Sequence, residues 1–213
     1  PAALVDVKLN NGEYLIANKK VNGFTNDEEK LFGKKWAKHF DFMLEDKLTE
    51  RGGKFQSSEI MLNHVAVDGR LITGQNPTST IGVANELVKS MGLKPVVIEA
   101  DLDDKTLAVV AKFLDGDKAA ANELAENQDQ YHIALVGMYG FYYLNLAESK
   151  GQVTNALTLM KLAQKAINNP MLDMKIATAQ QKIGLVKEAK STLNQLLAGK
   201  PDYKPAIEML ESL

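Results

Sequence analysis

Side chains able to do chemistry are few in this chain, and most stand apart from one another. Thr25-Asn26-Asp27-Glu28 sets a hydroxyl three residues ahead of a carboxylate, the spacing at which the two side chains satisfy each other's backbone N–H groups at a helix start. His39, His64 and His132 are scattered without metal-ligand spacing, and each reads as a surface or satisfied core residue. Asp101-Leu102-Asp103-Asp104 lacks the glycine and terminal glutamate of a calcium loop and reads as a helix N-cap region. Asp115-Gly116-Asp117 reads as a turn between helices, and no phosphate-cradling glycine loop or zinc pattern occurs. The chain has no cysteine, which removes disulfides, thiolate metal sites and a cysteine nucleophile from these residues. No metal or organic cofactor is expected.

The elements that must position these groups fall into two textures. Up to about Met91, short β-like runs alternate with glycine turns and helix starts; from about Asp101 nearly everything has helical periodicity. Tyr14-Leu15-Ile16-Ala17 and Lys20-Val21-Asn22-Gly23-Phe24 read as short strands, with a helix beginning after Thr25. His64 to Gly74 carries two β-branched runs around Asp68-Gly69, a hairpin signal. Ser79 to Met91 has the apolar spacing of a helix packed on a sheet. Pro95-Val96-Val97-Ile98 reads as a last extended segment or a linker. Beyond it, Thr106–Leu114, Ala119–Ala125, Tyr131–Ser149, Thr154–Ile167, Leu172–Ile183 and Val186–Leu197 read as successive helices. Gly151-Gln152-Val153-Thr154-Asn155-Ala156 recurs as Gly184-Leu185-Val186-Lys187-Glu188-Ala189, which predicts a helical-hairpin repeat with a glycine closing each preceding helix. The pattern resembles tetratricopeptide repeats, without the tryptophan and tyrosine of the full motif. Tyr139, Phe141, Tyr142 and Tyr143 are expected to pack between the repeats.

Composition bounds the partners. The chain has 213 residues, 45% hydrophobic and 24% charged, with a net charge of −2. That is the make-up of a globular chain able to bury a core, with no broad positive field for nucleic acid or an anionic membrane. No apolar stretch approaches a membrane span and residues 1–20 lack a signal-peptide pattern. The expectation is a soluble protein, cytoplasmic or periplasmic. Because the chain opens on Pro1, upstream sequence is expected to exist.

One ordered set of segments goes further. Pro1-Ala2-Ala3-Leu4, Val21 to Glu29, Phe42-Met43-Leu44-Glu45 and Val67 to Pro77 together resemble the ThiJ/PfpI superfamily, in its branch of heat-shock chaperones and glutathione-independent glyoxalases. The resemblance covers roughly residues 1–92. It implies an α/β domain, residues 1–95, forming the C-terminal portion of a flavodoxin-like (class I glutamine amidotransferase-like) sheet, followed at 101–213 by an all-α tetratricopeptide-like module. It also implies a Cys-His pair just ahead of Pro1. A parallel sheet must be covered on both faces, so an upstream segment is expected to complete it.

By the same resemblance, Glu28, with Asp27 as the alternative, corresponds to the carboxylate that orients the histidine; as a capping residue Glu28 also has a purely structural reading. Gln75, Asn76 and Pro77 correspond to the loop lining the substrate pocket, and read equally as a polar turn capping the next helix. The implied function is a glyoxalase III/deglycase- or hydrolase-like stress-response enzyme acting through the missing Cys-His pair. The alternative is a chaperone-like or protein-binding module working through its helical repeats, with a protein or peptide partner or a second copy of the chain as ligand.

Overall fold

A computed structural model describes all of Pro1–Leu213, which divides into two compact units, Pro1–Glu99 and Ala100–Leu213. In the first unit the backbone repeatedly leaves the extended state. Tyr14 makes one isolated bridge to Lys8, after which Ala17 N–H donates to Tyr14 O and Lys19 N–H to Ile16 O. These turns consume the donors that a strand ladder would need. Ile16 is still buried, in a core with Val5, Val21, Leu44 and Leu48, so the apolar run is held by a turn rather than by a strand.

Strand β1, Lys20–Val21, pairs in parallel with β2, Lys54–Phe55. Between them run helix α1, Asn26–Gly33, a 3-10 helix at Lys34–His39, and α2, Leu44–Glu50. Strands β3, Val65–Asp68, and β4, Leu71–Gly74, form an antiparallel hairpin. Its loop is Gly69-Arg70, one residue beyond the Asp-Gly pair, with Gly69 at φ 61°. That is the first central position at which a type II′ turn demands glycine. Helix α3, Thr80–Ser90, follows and packs on β4 and β3.

No flavodoxin-like sheet is present. The chain is 62% helical and holds two sheets of two strands each, so the expectation of a class I glutamine amidotransferase-like sheet followed by tetratricopeptide-like repeats is replaced by a mainly helical chain. The cause is visible next to β1. Asn22 N–H donates to Thr73 Oγ1 at 3.0 Å and its side-chain amide to His64 O at 2.9 Å, while Lys20 N–H donates to Asp68 Oδ2 at 3.0 Å. Side chains therefore tie β1 to the hairpin where a ladder would otherwise form, and the expected Lys20–Phe24 strand stops at two residues. Strands this short cannot build the layer, covered on both faces, that a parallel sheet requires.

The second unit is helical throughout: α4, Leu102–Leu114; α5, Lys118–Glu126; α6, Ile133–Leu146; α7, Lys150–Ile167; α8, Pro170–Lys182; α9, Val186–Gly199; and α10, Lys204–Ser212. Asp101 caps α4 by accepting from Asp104 N–H, and Asp117 caps α5 by accepting from Ala119 N–H. Helix α6 packs against α4, α7 and α8, and α9 against α8 and α10. Gly137 and Gly140 make the α6–α7 approach close: a methyl on Gly137 would stand 2.5 Å from Ala163 Cβ, and one on Gly140 2.8 Å from Ala156 O.

The expected repeat is unequal. Ala156 and Ala189 are both buried, and Gly184 follows α8 at φ 85°. Gly151, however, lies in the first turn of α7, whose start is capped by Ser149 with Gln152. Of the α6 aromatics, Tyr139 and Tyr143 are buried with rings 5.9 Å apart, whereas Phe141 and Tyr142 are half-buried beside a small groove. Residues 93–99 have no regular structure, and Val96 and Val97 are 80% and 92% exposed. No helix is long and apolar enough to cross a membrane.

Candidate functional site

The site begins with the cap of α1. Thr25 Oγ1 accepts from Glu28 N–H at 3.1 Å, and Glu28 Oε2 accepts from Thr25 N–H at 3.0 Å, the reciprocal pair that the sequence spacing predicts. Capping occupies only part of the carboxylate. Glu28 is fully buried, and three further groups converge on it from distant parts of the first unit. Gln75 Nε2 donates to Oε2 at 3.2 Å, Asn76 Nδ2 to Oε1 at 2.8 Å, and Met61 N–H to Oε1 at 2.9 Å. Met61 takes φ 62°, a left-handed conformation that costs a methionine energy and is maintained here with its N–H on the carboxylate.

The partners are themselves fixed. Gln75 is buried and accepts from Ser58 N–H at 2.9 Å through Oε1. Asn76 Nδ2 also donates to Leu62 O at 2.9 Å, and Asn76 Oδ1 accepts from Thr78 Oγ1 at 2.6 Å. Pro77 starts the 3-10 turn that Asn76 caps and that leads into α3. Glu28 forms no ion pair, so its compensation comes from amide and hydroxyl dipoles and from its place in the first turn of α1, where a helix favours negative charge.

Beside this cluster lies a cavity of about 310 Å³. Phe24, Phe32, Met61 and Pro77 make its wall almost wholly apolar, with Glu28 and Asn76 among the residues behind it. The Phe24 and Phe32 rings meet edge to face with centroids 6.3 Å apart. Such a cavity accepts a small, mostly apolar group, while the Glu28 carboxylate lies behind its wall, fully buried.

The structure thus brings together Glu28, Gln75, Asn76 and Pro77. The alternative carboxylate, Asp27, is not part of this cluster; it is exposed and pairs with Lys30 at 3.6 Å. No histidine is bonded to Glu28. His39 lies beside Trp36, the rings tilted at 52°, His132 Nδ1 is 2.7 Å from Asp103 Oδ1 on the helical unit, and His64 has its Nε2 buried without a partner. Burial pushes the His64 imidazole below its ordinary value. Next to the site, burial pushes the Glu29 carboxyl up, while the Leu44 N–H that it accepts at 3.1 Å opposes the shift. No group of three metal-ligating side chains forms. Sequence reasoning missed Met61 and Ser58, whose contributions are backbone N–H groups that no residue type announces. Ser79 was missed too; its buried hydroxyl accepts from His64 N–H at 3.1 Å.

No family model matches the chain, and no curated protein matches it. Among solved structures, Rapid Encystment Protein 24 kDa (REP24) of Francisella tularensis is 41% identical, with a TM-score of 0.40, over 42% of this chain and 39% of its own. A protein designated APC35852 is 34% identical, with a TM-score of 0.42, over 43% of this chain and 41% of its own. The chain therefore spans about two fifths of the length of each. With mostly helical structure and no family match, the ThiJ/PfpI, glyoxalase, hydrolase, chaperone and flavodoxin-like descriptions stand without support from fold or relatives.

Proposed function

We propose that the first unit carries the positioning half of a thiol-dependent centre acting on small carbonyl or amide substrates. Glu28 orients a histidine, the cavity beside Asn76 and Pro77 receives the substrate, and the cysteine and histidine come from residues outside this chain. The observation that carries this reading is the burial of Glu28 in a five-donor cage directly behind an apolar cavity. A helix cap alone requires neither the cavity nor the amides of Gln75 and Asn76. Such a carboxylate would fix an imidazole tautomer and stabilise its protonated form once an imidazole N–H displaces one of the present donors, such as the Asn76 amide. The thiolate then attacks the substrate carbonyl carbon, and the imidazolium returns the proton to the oxygen or to the leaving amine. The ring of Pro1 packs on Gly23, where an added methyl would come within 3.2 Å of it. A Cys-His pair preceding Pro1 would thus approach the turn that holds Thr25.

The test uses the natural polypeptide. Intact mass and N-terminal sequencing show whether a Cys-His pair precedes Pro1, and turnover of small aldehydes and activated amides is then compared with that of Glu28→Gln. Loss of kcat by roughly 10²- to 10⁴-fold at similar KM is expected. Full activity in Glu28→Gln, or in a variant lacking the upstream cysteine, overturns the reading.

A second reading, recruitment of a protein by the helical unit, is favoured by a cleft of about 450 Å³ where the end of α7, the start of α8 and the end of α9 meet. Lys165, Lys200 and Asp173 line it. Co-purification of a partner that survives Lys165→Glu with Lys200→Glu would remove that cleft from consideration.

A further inference from the structure

The segment joining α1 to α2 carries a surface feature that the candidate site does not use. From Lys34 to Phe42 the sequence runs Lys-Lys-Trp-Ala-Lys-His-Phe-Asp-Phe, and its large aromatic side chains are exposed. Trp36 is 61% exposed, Phe40 42% and Phe42 39%, although a chain this size normally withdraws aromatics from water. Lys34, Lys35 and Lys38 are exposed beside them, and none forms an ion pair. The one carboxylate inside the stretch, Asp41, comes after the lysines. The segment is nonetheless built. Residues Lys34–His39 form a 3-10 helix, the Phe40 ring lies on Gly33, and Lys35 Nζ sits 5.0 Å over the Trp36 ring. Lys34 holds φ 47°, a conformation that a lysine adopts at an energetic cost.

We propose that this knob docks on the surface of an anionic lipid bilayer, with Trp36, Phe40 and Phe42 at headgroup depth and Lys34, Lys35 and Lys38 against the lipid charges. Tryptophan and phenylalanine partition to that depth, and lysines keep their ammonium groups at the headgroups while their stems lie along apolar surface. The charge fit is local: the chain as a whole carries −2, whereas this stretch adds three unpaired cations. Single-stranded nucleic acid offers the same charge, but its recognition needs a basic groove tracking several phosphates between stacking rings. Here the cations sit within five residues of one short 3-10 helix.

Trp36 is the only tryptophan in the chain, so its emission reports directly on the knob. The whole chain is titrated with vesicles of phosphatidylcholine containing about a third phosphatidylserine, and with pure phosphatidylcholine vesicles. Expected are a blue shift of Trp36 emission and co-sedimentation with the anionic vesicles only. Both should be lost in about 0.5 M salt and weakened on the order of a hundredfold in the Lys34→Gln, Lys35→Gln, Lys38→Gln variant, at about fivefold per lysine. If that variant misfolds by circular dichroism, the salt series on the unaltered chain decides the same point. No shift with anionic vesicles, an equal shift with neutral ones, or a shift given by a single-stranded oligonucleotide in place of vesicles overturns the proposal.

Discussion

Glu28 shows how far one side chain can exceed its local role. As a capping residue it needs a single backbone N–H, and losing a cap costs about 1 kcal/mol. Here its two oxygens accept from five donors, four of them beyond the reciprocal N–H of the cap. Glu28→Ala strands those donors in a buried setting, where each orphaned group costs about 1–3 kcal/mol. A loss of about 3 kcal/mol or more is expected in urea unfolding, with Met61 and Asn76 amide protons gaining exchange. A loss near 1 kcal/mol would show that the cage is replaced by water at little cost.

His64 supplies the pH prediction at the same scale. Because burial lowers its affinity for a proton in the fold, the unfolded chain binds more protons between the folded value and the unfolded one near 6.5, and stability rises with pH across that window. Acidification from about pH 7.5 to about 5.5 should therefore lower the urea midpoint, and His64→Phe should flatten the dependence. Glu29, raised from 4.5 by burial, acts in the opposite sense: above 4.5 its ionisation in the fold is penalised, so stability falls as pH rises through that lower window. The His64→Phe comparison separates the two.

Among the elements, caps and turns were legible because their physics is local. The Thr25–Glu28 box, the Asp101 cap, the Asp115–Asp117 turn and the glycine of the Asp68–Leu71 hairpin are each set within four residues. Strand length was not legible. Whether Lys20–Phe24 continues as a strand depends on what faces it, and the facing groups are the Thr73 hydroxyl and the His64 carbonyl, far away in sequence. The helical unit offers a test of close packing. Gly137→Ala and Gly140→Ala should each destabilise by about 1–3 kcal/mol through overpacking against α7, despite a helix-propensity gain of up to ~1 kcal/mol. Gly199→Ala on α9, where an added methyl meets nothing within 4 Å, should leave Tm unchanged or raise it. Equal effects at the three sites would mean that α6 and α7 have room to move apart.

For the molecule as a whole, the boundary at Glu99 is the feature most open to experiment. Residues 93–99 lack regular structure, and Val96 and Val97 are exposed at 80% and 92%, the condition under which a protease finds extended backbone. Brief digestion with a broad-specificity protease should cut between Gly92 and Ala100 and leave a helical fragment close to Ala100–Leu213, identified by mass and circular dichroism. Cuts falling first inside α6 or α7 would contradict the division.

By itself the sequence determined the helices α4 to α9, though not α10, together with the cap of α1, the change of texture near residue 100 and the lack of any thiol, because periodicity, capping and composition are properties of neighbouring residues. Tertiary structure alone decided that the β-like runs shrink to two small sheets, that Glu28 rather than Asp27 is enclosed, and that Met61 joins Gln75 and Asn76 around it while Ser58 holds Gln75. Each of those outcomes depends on which distant donor or acceptor reaches a given group once the loops have closed, and chain spacing does not encode that competition.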